Sequence, residues 1–511
     1  MGSSPHTVSI HILDDDSLLN VFNLYRPFLL TEDGDNNDLL YNEGRGIHAL
    51  WWYKLAHVCQ RWRNLVLGSA AYLGVSLVCM NGTPVADMLA HSPPLPLVID
   101  YTSSGEYEEI TVEDEEGAIL ALKQRNRVRV VHLQVQTSVP IYQNLIAAMD
   151  DEYPILEYLI ILPPIGSIIS ISLFPETFQA PHLRRLLLDS FALPIGCRLL
   201  TTAVSLVTLC LSMVHPSTYF HPNTLLQWLS FMPQLKTLAV FFVFPIPNRD
   251  VEMQLMRTPA MPVPLLNLHI LRFQGVTTYL EALVHRIAAP RLKRLEASFF
   301  NQLTFSVPRL LQFVNTSENL RFKSAKFEFS NLGVSARVYP DEEAEVSALS
   351  IGVFCWHLDW QVSSAAQIFN LLSPMFFAVE HLTLEHSVHS LSSEEHNEAD
   401  STMWRKLLGS FRNVKTLRIA KGLVEELSRC LQLDDGELPL GLLPELQELT
   451  YFGTGDTGDT FTSFIDARQN AGRPITLVRR SPSPDESSSL SPLKPPSVTL
   501  AGDEAGSGLN I

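Results

Sequence analysis

The stretch "HLRRLLLDSF", His182 to Phe191, places Leu183, Leu186 and Leu188 in the spacing LxxLxL. Two leucines separated by one residue point to the same face of a strand, and the earlier leucine sits in the approach to it. Alone, such a fragment has an apolar face and nothing to bury it against. The spacing recurs upstream, with other large apolar residues in the leucine places, as Val128, Val131, Leu133 and Leu156, Leu159, Ile161. Downstream it continues as Leu206, Leu209, Leu211; Leu235, Leu238, Val240; Leu268, Leu271, Phe273; and Leu292, Leu295, Ala297. Weaker copies are Phe322, Ala325, Phe327 and Val353, Trp356, Leu358. Clear ones return at Val379, Leu382, Leu384; Val414, Leu417, Ile419; and Leu446, Leu449, Tyr451.

Successive copies begin about 23 to 35 residues apart, a period that overlaps that of leucine-rich repeats. Between them lie patterns spaced for one buried helix face, such as Leu280, Leu283, Val284, Ile287 and Trp404, Leu407, Leu408, Phe411. Each unit reads as helix, turn and short strand, and it becomes stable by stacking on its neighbours. The expected fold class is therefore α/β. Residues 127–479 resemble a degenerate leucine-rich-repeat solenoid, with a parallel sheet on the concave side and helices outside.

Alternate strand residues would line the concave face. The candidates for holding a protein substrate there are Arg185, Arg272, Arg294, Lys326, His357 and Arg418, interspersed with Asp189, Glu296, Glu328, Asp359, Glu385 and Glu448. Arg184, Lys236, Lys293, Lys323 and Lys415 recur at the sheet edge, where a solvated face or a dock for an acidic or phosphorylated segment are the two readings.

The 511 residues carry a formal net charge of -17, which disfavours a phosphate backbone or an anionic membrane as the main partner. No uninterrupted run of eighteen apolar residues and no secretory leader is read, and Gly2 lacks the Ser or Thr at position 6 that myristoylation uses, so a cytoplasmic or nuclear protein is expected. The six scattered cysteines form no CxxC pair and read as reduced thiols, neither a disulfide framework nor a zinc module. Nucleophile-elbow, phosphate-loop and zinc-helix motifs are absent. "GTGDTGDT", Gly453 to Thr460, lacks the phosphate-loop lysine, and His381, His386, His389 and His396 lack a sustained helical ligand spacing. The chain reads as a non-enzyme without cofactor or metal.

At the N-terminus, "WWYKLAHVCQRWRNLV" (Trp51 to Val66) sets Leu55, Val58, Cys59 and Trp62 at i, i+3, i+4 and i+7, continued by Leu65 and Val66. Upstream, Leu18, Leu19, Val21 and Phe22 follow Asp14, Asp15 and Asp16, acids placed to cap a helix. An acidic spacer, Leu30 to Gly46, separates the two helices. Residues 1–75 thus form a helical module that needs a partner surface. Residues 76–126 join it to the array, with an acidic stretch at Gly105 to Gly117, and residues 480–511 form a Ser/Pro-rich acidic tail of disordered composition. In that tail Ser481, Ser483 and Ser491 precede proline, and the readings are proline-directed phosphorylation or an inert terminus.

"ILDDDSLLNVF" followed by "LAHVCQRWRNLV" resembles the F-box, whose usual form is LPxELLxxIF, a connection, then LxxVCRxWRxL. Leu13, Leu18, Leu19, Val21 and Phe22 take the first half, with Asp14 where the family has proline. Val58, Cys59, Trp62 and Leu65 take the second, preceded by Leu55. The long acidic insert and the WWYKLA start are similar to the expanded F-box families of mushroom-forming fungi. The resemblance implies docking of these residues on a Skp-type adaptor, with Trp62 as anchor. The array would then hold a protein substrate for a cullin-RING ubiquitin ligase of SCF type. A helical cap on the solenoid end would explain the apolar faces equally well, though not the VCQRWR order.

Overall fold

Leu186 pairs with Leu159 on one side and Leu209 on the other, within a register row that runs the length of the molecule. The computed structural model describes residues 10–25, 51–102, 110–134, 139–162, 172–194, 196–215, 218–245, 262–317, 319–320, 322–387, 400–432, 440–452 and 461–480. The row passes through Leu238, Leu271, Leu295 and Leu349. It then crosses Val338 and Ala325 to Leu382, Leu417, Leu449 and Leu477. Upstream it reaches Val131, Ile99 and Cys79. Every member is buried except Leu477, which sits on the last rung and is 38% exposed.

These rungs make one sixteen-stranded sheet from Leu77–Cys79 to Thr476–Arg480, parallel over most of its length. Helices Pro222–Leu229, Thr277–Val284, Pro308–Asn315, Leu358–Leu372, Ser401–Leu408 and Val424–Leu431 pack in succession, and their apolar faces share one core with the inward strand residues. The chain is a leucine-rich-repeat-like α/β solenoid. Two strands, Leu77–Cys79 and Leu97–Thr102, lie in the segment read as a junction.

Two features depart from the sequence reading. The sheet is not parallel throughout, because Ser324–Ser330 and Gly333–Tyr339 form an antiparallel hairpin, and Gly333–Tyr339 also runs antiparallel to Leu349–Phe354. Its cause is local: Ala325, Phe327, Phe329 and Val334, Ala336, Val338 alternate strictly about the turn at Asn331 and Leu332. Gly333 adopts φ +156, and a Cβ there would collide with the carbonyl oxygen of Val353. The second departure is the copy Val353, Trp356, Leu358. The strand is Leu349–Phe354, with Leu349, Ile351 and Val353 buried, while Trp356 is 77% exposed and Leu358 opens the next helix.

Outside the described residues lie 30–46, 453–460, the tail from 481 onward, His389 and His396, so the readings made of them stand as sequence expectations. No described helix is long and apolar enough to cross a membrane.

Near the last rungs, Arg468 in the helix Thr462–Asn470 is fully buried. Its Nη1 donates to the carbonyl of Leu443 at 3.1 Å, and its Nη2 to those of Pro444 at 3.0 Å and Leu446 at 3.2 Å. The planar guanidinium thereby ties the turn that leads into Glu448–Phe452 to the following helix. Arg468→Ala is expected to lower stability by about 2–4 kcal/mol, because buried carbonyls lose their donors. Arg468→Lys should rescue little of this, since one ammonium does not reproduce the fork. Chemical denaturation of the three proteins checks both outcomes.

Candidate functional site

Two surfaces correspond to the residues singled out in the sequence. The first is the N-terminal module. Asp14 accepts from the backbone N–H of Ser17 at 2.6 Å and so caps the helix Asp15–Tyr25. Those hydrogen bonds hold the Asp14 carboxyl below the usual carboxylate range. Across the module, Arg61 reaches the Asp15 carboxylate at 2.7 Å and the Leu13 carbonyl at 2.7 Å, tying the second half of the motif to the start of the first.

The continuous helix read through Leu55, Val58, Cys59 and Trp62 is in fact two. Trp51–Ala56 ends in a turn, Cys59 is extended, and Gln60–Gly68 begins anew. Arg63 Nε donates to the Ala56 carbonyl at 3.0 Å, supplying the first helix's C-terminus with the donor that it lacks.

This break redistributes the candidate docking residues. Leu18, Phe22, Leu55 and Trp62 are buried in the chain's own core, where the Phe22 and Trp62 rings meet edge-on at 4.8 Å between centroids. Leu19, Cys59 and Leu65 are half-buried, and only Leu13, Val21 and Val58 are exposed. Trp62, expected at the partner surface, is an internal packing residue. Trp51 and Trp52 are buried, and Trp52 Nε1 donates to the Ser76 carbonyl at 3.0 Å, immediately before the first strand. The module thus shares the core of the array. The module nonetheless exposes Ile12, Leu13, Val21, Leu24, Tyr25 and Val58, Leu24 by 86%.

The second surface is the open face of the sheet, turned away from the helices. At Tyr158–Leu162 through Thr237–Phe242 it is apolar: Ile160, Leu162, Leu187, Cys210 and Ala239 form a second buried cluster with Phe241 against it. Burial pushes the Cys210 thiol up to about 12, so it stays protonated and unreactive. Burial also raises the Asp189 carboxyl, against the lowering effect of the Ser190 and Ser212 hydroxyls.

From Ile270–Gly275 onward the face is ionic and largely self-neutralised. Glu296 takes both Arg272, at 3.0 Å, and Arg294. Lys326 pairs with Glu385 at 2.8 Å, Arg337 with Glu328 at 3.5 Å, and Arg418 with Glu342 at 2.8 Å. Of the candidate substrate residues, Arg185, Arg272, Arg294, Lys326 and Arg418 do lie on this face. His357 does not, because it precedes the helix Leu358–Leu372 with its ring 4.9 Å from that of Trp360. Asp359 lies in that helix's first turn, also off the sheet. The sequence reading missed the exposed Trp356 and Trp360 there, since it had assigned Trp356 to the core. Among the described residues, no group of His, Cys, Asp and Glu could hold a metal ion.

No family model matches this chain, and no curated protein matches it. Among solved structures, the chain is similar to the leucine-rich repeat-containing protein LegL7 from Legionella pneumophila, at 12% identity over 79% of this chain and 99% of that one, with a TM-score of 0.23. The repeat architecture follows from the strand register itself.

Trp62→Ala is expected to cost about 3–5 kcal/mol of stability as a large-to-small core change, whereas Val58→Ala should stay within about 0.5 kcal/mol. Thermal unfolding of both variants distinguishes the internal residue from the surface one.

Proposed function

We propose that this chain is the substrate-recognition subunit of an SCF-type cullin-RING ubiquitin ligase. It would dock on a Skp-type adaptor through the outer side of its N-terminal helices and hold a protein substrate on its repeat array. The chain would contribute position rather than catalytic groups, raising the substrate's effective concentration near the ubiquitin carrier.

One observation carries this reading. A repeat array needs a terminal cap with a polar outer face. The N-terminal module shares the array's core, and Trp52 donates to the Ser76 carbonyl just before the first strand, yet Val21, Leu24 and Val58 stay in solvent. Capping accounts for the buried residues of the motif and leaves the exposed ones without a role. An adaptor surface supplies one. The second reading, an interaction scaffold without a ligase, is favoured by the shared core of module and array, and it requires the exposed residues to do nothing.

Co-purification of the full chain with a Skp-type adaptor separates the two. The wild type should be captured, and a Val21→Asp, Val58→Asp variant of unchanged circular dichroism should not. Two exposed charges set against an apolar partner surface should weaken binding by about 2–4 kcal/mol, enough to lose the complex on a column. A folded wild type that captures no adaptor would leave the scaffold reading.

A further inference from the structure

The residues that immediately precede the strands form a row of their own along one edge of the sheet. Starting from the carbonyl of Arg129, which lies inside the strand Val128–Gln134, each backbone N–H donates to the carbonyl of its predecessor at 2.8 Å, in the order Glu157, Arg184, Val207, Lys236, His269, Lys293. The row recurs further on as Lys323, Glu380, Lys415. At both ends its cations meet acids of the row itself: Arg129 pairs with Glu157 at 3.0 Å, and Lys415 with Glu380 at 2.8 Å.

The middle is built differently. Between Glu157 and Lys293 the row holds no further acid, and Val207 and His269 occupy the rungs between the cations. Lys236 and Lys293 have no ion-pair partner among the described residues. A hollow of about 590 Å³ opens here, lined by His182, Arg184, Gln234 and Lys236, together with Glu157. In a chain of net charge -17, this is a local reversal of sign.

The register fixes the spacing of these charges. Adjacent strands lie roughly 4.8 Å apart, so Arg184, Lys236 and Lys293, on alternate rungs, follow one another at roughly 10 Å. A segment in the extended polyproline II conformation advances roughly 3.1 Å per residue with roughly three residues per turn, so every third side chain faces the row and matches the spacing of successive cations. We propose that this edge binds an extended protein segment with an acidic side chain at every third position. The segment would cross the starts of the strands Arg185–Asp189, Thr237–Phe242 and Arg294–Phe300. Carboxylate or phosphoryl groups satisfy the same lysines as point charges. A nucleic-acid strand suits the edge less well, because the row carries no Phe, Tyr or Trp ring for stacking and the chain as a whole repels a long polyanion. This inference deepens the reading of the array as a protein-binding surface and rests on that part of it.

The test uses fluorescence anisotropy with the full chain and no adaptor, so that its failure leaves the docking result untouched. One labelled peptide carries glutamate at every third position, a second has the same composition with its glutamates contiguous, and a third replaces the central glutamate by phosphoserine. The spaced peptide is expected to bind about five-fold more tightly than the contiguous one, in a salt-dependent manner. A Lys236→Glu, Lys293→Glu variant of unchanged circular dichroism should weaken it about ten-fold. Tighter binding of the phosphoserine peptide, lost in the same variant, would support the proposal and assign a phosphoryl group to the Lys236 rung. Equal affinity for the spaced and contiguous peptides, indifference to the variant, or displacement by an equal concentration of oligonucleotide would each overturn it.

Discussion

The register row from Cys79 to Leu477 is the constraint on which everything else hangs. A single helix and strand expose an apolar side that nothing in the unit covers, and each rung is stable because the leucine before it and the leucine after it are in place. Once the row is fixed, two further surfaces follow without additional instruction. The residues between the leucines must face away from the helices, and those preceding the strands must stack into an edge. The protein therefore presents side chains at intervals set by backbone hydrogen bonding rather than by side-chain packing.

The inward row was legible in the sequence because burial demands large apolar residues at a fixed spacing, and such residues announce themselves. Legibility failed where apolar identity and burial part company. Trp356 matched the pattern and is exposed, while the true strand, with Leu349, Ile351 and Val353, carries a small residue, Gly352, between them. The hairpin was missed because it breaks the period, although its alternation about Asn331 and Leu332 was there to be read.

The N-terminal module shows a different limit. Periodicity identifies the apolar side of a helix, but not whether its cover comes from the same chain or another. Leu55, Val58, Cys59 and Trp62 satisfy helical spacing, yet the backbone turns between Ala56 and Gln60, burying Leu55 and Trp62 and turning Val58 outward. The open face posed the same difficulty in ionic form. Arginines and a lysine offered as ligand-binding groups are engaged by Glu296, Glu342 and Glu385, and a sequence gives no account of cross-strand partners.

The hairpin Ser324–Tyr339 also bears on the order of assembly. Parallel neighbours are joined by crossovers of 17 residues or more, whose ends must be brought together before any pairing is gained, whereas the hairpin closes over a two-residue turn. Its strands gain their pairing at the lowest entropic cost in the sheet, and both outer edges are then ready to template a neighbour. Among the described strands, the hairpin is thus the pairing whose loop is shortest and whose closure costs least.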